Sequence, residues 1–181
     1  MPDTDVPQNT EETVIKKKAM KKYVSKRDTS VTIQLSDKVR EHVGTHFDKG
    51  LPGSKFAVAD IDTLLQMLLD LFPEKIKKAK PDDDGRKRLS FSFPFDIGTC
   101  NVVSVDRLSD QENETMHRMQ RGTKVVRVVE SERVFPTDEC QLVLSGDNNV
   151  ITIYPGEAAP PLPDSPDIAD PYWDKHVFIA G

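Results

Sequence analysis

The hydrophobic period of this chain changes once along its length, and that change constrains the fold more than any other feature. Val39, Val43 and Phe47 recur at helical spacing, with Ser36-Asp37 as an N-cap signal. A second helix is predicted over about Val58 to Phe72. Leu64, Leu65, Leu68, Leu69, Leu71 and Phe72 form its apolar stripe, Asp60 or Asp62 its cap, and Pro73 its exit. From Leu89 onward the period is two. Leu89-Ser90-Phe91-Ser92-Phe93, Cys100–Val105, Val125–Val129, Cys140–Leu144 and Val150–Tyr154 read as strands. The last two flank Ser145-Gly146-Asp147-Asn148-Asn149 and predict a hairpin. Val31–Leu35 is a further strand, Thr115–Gln120 a strand or a short helix, and Val177–Ile179 a short closing strand after a helical turn. Prolines within 156–171 exclude a helix or a central strand there. Helices followed by strands predict an α+β fold: one or two N-terminal helices packed on a twisted, mainly antiparallel sheet.

Residues 1–28 differ from the rest. Residues 1–12 are mostly Pro, Asp, Thr and Glu, and Lys16, Lys17, Lys18, Lys21, Lys22, Lys26 and Arg27 follow. This composition buries too little apolar surface to offset the entropy of ordering, so it predicts a disordered, basic N-terminal arm before a single domain over 29–181.

The formal net charge is -5, so no global basic field draws in nucleic acid. No apolar run reaches membrane-spanning length and no signal sequence opens the chain, which makes the cytoplasm the expected compartment. Cys100 and Cys140 form no metal-type pair. His42 and His46 stand four apart, but no Glu follows the first of them; an ordinary polar helix face accounts for the pair, and no metal or cofactor is expected. P-loop, dinucleotide and nucleophile-elbow motifs are absent.

What remains is a basic cluster of Arg118, Arg121, Lys124 and Arg127, riding on strand candidates. Guanidinium forks match phosphate oxygens, and a nearby histidine moves protons at neutral pH. Metal-free RNA cleavage needs those ingredients. A polar sheet face with a structural histidine accounts for the same residues.

The order of the C-terminal motifs adds a family resemblance. Ile97-Gly98-Thr99-Cys100, Arg118-x-x-Arg121-Gly122, Val126–Val129 and Pro136-Thr137 are followed by Ile151–Glu157, Ala159–Pro163 and Tyr172–Ile179. Residues 86–181 resemble small bacterial proteins with a "TAFPG…APP…FWxxHA" ending, which are themselves similar to ribonuclease toxins of the barnase–EndoU–colicin–RelE type. The resemblance implies a twisted antiparallel sheet after one or two helices, RNA as substrate, and an antitoxin or immunity protein as partner. It implies RNA-contacting or catalytic roles for Arg121, Arg127, Thr137, Thr152 and His176. His176 would be the general acid or base, Arg121 and Arg127 would hold phosphate with Arg118 and Lys124 beside them, and Thr137 or Thr152 would orient the scissile group. The chain departs from the pattern at Arg118–Lys124, where the family has a simpler Arg-x-Gly-Arg stretch. Two other expectations stand beside the ribonuclease. One is a non-catalytic module on the same fold that binds protein or nucleic acid. The other is an inhibitor or immunity protein, which suits the acidic balance.

Overall fold

The computed structural model describes residues 20–164 and 171–180. Its helices and largely antiparallel strands make an α+β fold. The chain groups into two compact units. The first comprises residues 1–44, 59–89 and 142–153, the second 45–58, 90–141 and 154–181. Residues 1–19, which hold most of the expected arm, lie outside the described residues.

The first unit opens with β1 (Met20–Val24), which pairs antiparallel with β2 (Thr32–Ser36), Tyr23 opposite Ile33. The arm expected over 1–28 therefore does not extend through residues 20–24, which are a strand. Met20–Val24 forms a strand because Tyr23 supplies a buried apolar anchor among lysines, whose heads stay in water. Helix α1 (Asp37–Val43) starts where the Ser36 hydroxyl accepts the Val39 amide. Helix α2 (Ile61–Leu71) starts where the Asp60 carboxylate accepts the Thr63 amide. It buries Leu64, Leu65, Leu68 and Leu69 completely and packs on β1 and β2. Pro73 opens the next helix, α3 (Pro73–Lys78), in which a missing amide hydrogen is harmless at the first position. Strands β4 (Arg86–Ser92), β10 (Glu139–Ser145) and β11 (Val150–Pro155) form a sheet with β10 in the middle. The expected hairpin over 140–154 is present. Its turn is closed by Ser145, which exchanges backbone hydrogen bonds with Asn148 and Asn149.

Asp62 did not become a cap. Its carboxylate takes two hydrogen bonds from the Arg40 guanidinium, at 2.8 and 3.0 Å, and one from Lys21 at 2.8 Å; the Tyr23 hydroxyl donates a fourth. These four side chains tie β1, α1 and α2 together.

In the second unit, β5 (Gly98–Cys100) lies between β3 (Lys55–Phe56) and β9 (Phe135–Thr137), antiparallel to both. A four-stranded sheet runs β6 (Val102–Ser104), β12 (His176–Ala180), β8 (Lys124–Glu130), β7 (His117–Arg121). Strand β12 is antiparallel to β6 and parallel to β8. The one run predicted over Cys100–Val105 is thus two short strands in two sheets, divided at Asn101. Thr115–Gln120 is a strand at its core. Just before it, α4 (Asp110–Glu114) carries a complete capping box between Ser109 and Glu112. Val103, Val129, Phe135 and Val177 make the core of this unit. The Arg133 guanidinium lies 4.3 Å from the Phe135 ring centre and bonds Glu112, which holds that carboxyl down at about 2.

The Arg40 bonds hold the Asp62 carboxyl well below the usual carboxylate range. A depressed carboxyl contributes stability above the unfolded-state value, near pH 4, and loses it as pH falls toward the folded value. Asp62→Asn is expected to lower the unfolding free energy measured in urea by only about 1 kcal/mol at pH 7, because the cluster is partly exposed. The gap between wild type and variant should narrow at pH 3. An equal gap at both pH values would show that the ion pairs are not what holds these elements together.

Candidate functional site

The segment after β11 turns at Gly156, whose φ of 105° suits glycine, and a Cβ there would stand 3.0 Å from the Cys100 Cβ. The chain then runs along prolines to Pro163, held by two backbone carbonyls: Pro161 accepts the Trp173 indole at 3.1 Å and Pro163 accepts the Val125 amide at 2.9 Å. The single turn α5 (Pro171–Asp174) follows the undescribed residues. Stacking orders it. Tyr172 lies flat on His176 at 3.7 Å with planes 5° apart, and Trp173 stacks on Phe178 at 5.5 Å.

This arrangement fixes the His176 ring. Its Nδ1 faces the Tyr172 carbonyl at 2.7 Å, and its Nε2 faces a Glu157 carboxylate oxygen at 2.7 Å. The same oxygen accepts the Tyr172 hydroxyl at 3.3 Å. Burial, then the Glu157 charge, raises the Tyr172 phenol far above its ordinary value, so it is a donor. The histidine side chain is only 14% exposed, whereas that of Glu157 is 48% exposed. His176 and Glu157 wall a pocket of about 430 Å³ together with Thr137, Arg107, Cys100 and Asp96. Burial pushes the Cys100 thiol up, against the opposing pull of Arg107, so it is a poor nucleophile at neutral pH.

The other sequence candidates divide. Thr137 shares the pocket with His176. Arg127 reaches the His176 backbone, but its guanidinium donates to the Trp173 and His176 carbonyls, at 3.2 Å for the latter. It closes the turn before β12. Arg121 lines a different pocket with Met119 and Phe178. Arg118 stands opposite Arg127 on exposed β7, and Lys124 is paired with Asp164. Thr152 lies on β11 in the first unit, half-buried. The pocket's cation is instead Arg107, which no motif singled out. Glu157 was in view only as part of the Pro-Gly-Glu signature, although Tyr172 and His176 stand at the i, i+4 spacing of one helical turn. His42 is exposed, His46 Nδ1 faces the Ser54 carbonyl, and no group of three metal-ligating side chains occurs among the described residues. No helix among them is long and apolar enough to cross a membrane.

The fold and the site define an α+β protein with an imidazole–carboxylate pair in a small, polar pocket. No family model, no curated protein and no solved structure matches the chain.

Arg127 donates to two part-buried carbonyls, and removing it takes that donor from both. Arg127→Met is expected to destabilise the protein by about 1–3 kcal/mol. The emission of Trp173, the only tryptophan, should shift to the red as α5 loosens. Unchanged stability and emission would remove the structural role of this arginine.

Proposed function

We propose that the pocket around His176 cleaves RNA without a metal ion. One observation carries this reading: His176 Nε2 and a Glu157 oxygen are 2.7 Å apart in a pocket that also holds Arg107 and Thr137. A carboxylate and an imidazolium side by side supply the base and the acid that transesterification needs. Glu157 takes the 2′-hydroxyl proton, and the 2′-oxygen attacks phosphorus. Arg107 offsets charge on the phosphorane, Thr137 donates to a phosphoryl oxygen, and His176 protonates the departing 5′-oxygen. The products are a 2′,3′-cyclic phosphate and a 5′-hydroxyl. Glu157 is half-exposed, so its oxygen can leave Nε2 for a substrate atom. The motif resemblance supports the same chemistry with His176 at its centre.

A second reading is favoured by the charge of the wall. Asp96, Asp138, Glu139 and Glu157 outnumber Arg107 and His176, and such a surface suits a basic partner better than a polyanion. On this reading the protein is a non-catalytic interaction module or an inhibitor, and the stacked, doubly bonded His176 only shapes its surface.

The assay is purified protein with end-labelled RNA in EDTA. Cleavage to cyclic-phosphate ends is expected. His176→Ala and Glu157→Gln should each lower the rate by roughly a hundredfold to ten-thousandfold. Arg121→Ala, outside the pocket, should leave it within about threefold. If RNA stays intact both in EDTA and after magnesium is restored, the ribonuclease reading is wrong and the interaction module takes its place.

A further inference from the structure

Strand β7 ends the four-stranded sheet, and all five of its residues, His117 to Arg121, are exposed. Gly122, with φ of 61°, makes the tight turn into β8. The outer backbone edge of β7 therefore presents amide and carbonyl groups that no described strand pairs. The register sorts its side chains. Met119 and Arg121 stand with Val126 and Lys124 on one face, Arg118 and Gln120 with Arg127 and Val125 on the other.

The first of these faces adjoins a groove of about 550 Å³ with Val126, Val128, Val134 and Phe178 in its walls. Met119 is 41% and Val134 68% exposed, and the two line the same groove, so its apolar surface is open. The cations around it are not equivalent. Lys124 is paired with Asp164 and Arg133 with Glu112. Arg118 and Arg121 have no ion pair among the described residues. In a chain of net charge -5, two arginines without an ion pair among the described residues flank this apolar-lined strand edge, and Glu132 is the carboxylate in the groove wall.

We propose that β7 is a docking edge for an extended acidic peptide that adds as a further antiparallel strand. Main-chain hydrogen bonds would give the affinity, and alternation would give the specificity. Apolar side chains at every second position enter the groove beside Met119, and the intervening carboxylates meet Arg118. Arg121, at the mouth of the groove, meets an acidic terminus. A nucleic acid fits less well, because the groove's two aromatic rings are already engaged: Phe135 is buried under Arg133, and Phe178 stacks on Trp173. Charged edges also serve simply to block strand pairing, and that role predicts no ligand. The docking edge is separate from the His176 pocket and stands whether or not that pocket cleaves RNA.

Fluorescence anisotropy with a labelled octapeptide of alternating Glu and Val tests the proposal. Saturable binding is expected, weakened at least tenfold by the double variant Arg118→Glu/Arg121→Glu. Hydrogen exchange at β7 amides should slow in the complex. Replacing Val with Ser in the probe should also weaken binding, which separates the groove from simple charge attraction. Both arginines are exposed, and an unchanged melting temperature will verify that the variant folds. The proposal is overturned if the Glu-Val peptide does not bind, or if a Lys-Val peptide binds as well. It is equally overturned if deca-uridylate binds in a manner lost in the double variant while the peptide is unaffected.

Discussion

The second unit depends on the placement of its last strand. β12 lies between β6 and β8, so residues at the end of the chain complete a sheet whose other strands are drawn from 102–130. Val177 is fully buried in the core with Val103, Val129 and Phe135. Without β12, β6 and β8 would each expose an edge, and that core would lose its central side chain. The Arg127 guanidinium secures the entry to the strand by satisfying two carbonyls at the turn where regular hydrogen bonding stops. Aromatic stacking does the rest: Tyr172 on His176 and Trp173 on Phe178 tie the turn to the strand it introduces.

The character of the His176 pocket follows from that placement. His176 is the first residue of β12, so its backbone belongs to the sheet while its ring belongs to the turn. The ring is held on one nitrogen by a carbonyl of its own turn and on the other by Glu157, which the Gly156 bend delivers from the end of β11. Rigid imidazole and half-exposed carboxylate form an asymmetric pair: one group is fixed by the fold, the other is able to exchange its partner with solvent or ligand. His176 shares its pocket with Arg107 and not with Arg118, Arg121, Lys124 or Arg127.

That cluster shows why a count of arginines in sequence says little about their use. Arg118, Arg121, Lys124 and Arg127 are neighbours along one hairpin, yet they meet four fates. Arg127 points to the turn before β12, Lys124 to Asp164, and Arg121 to an apolar groove; Arg118 stays in water. Strand alternation accounts for the division into two faces. What each face meets depends on elements distant in sequence.

The periodicities alone determined the α+β class, two helices with Ser36 as the cap of the first and Asp60 or Asp62 as that of the second, and the hairpin over 140–154. These are local matters: a helical stripe, a capping hydroxyl or carboxylate and a turn of Gly, Asp and Asn act within a few residues. The Ser109–Glu112 capping box is equally local. Only the tertiary structure decided that Met20–Val24 is a strand, because one buried tyrosine among lysines is too faint a periodic signal until Arg40 and Asp62 close on it. Only the tertiary structure made β12 parallel to β8 and brought Arg107 and Glu157 to His176. Pairing between distant strands is chosen by which buried faces fit and which hydrogen-bonding groups would otherwise be stranded, and no local pattern records that choice.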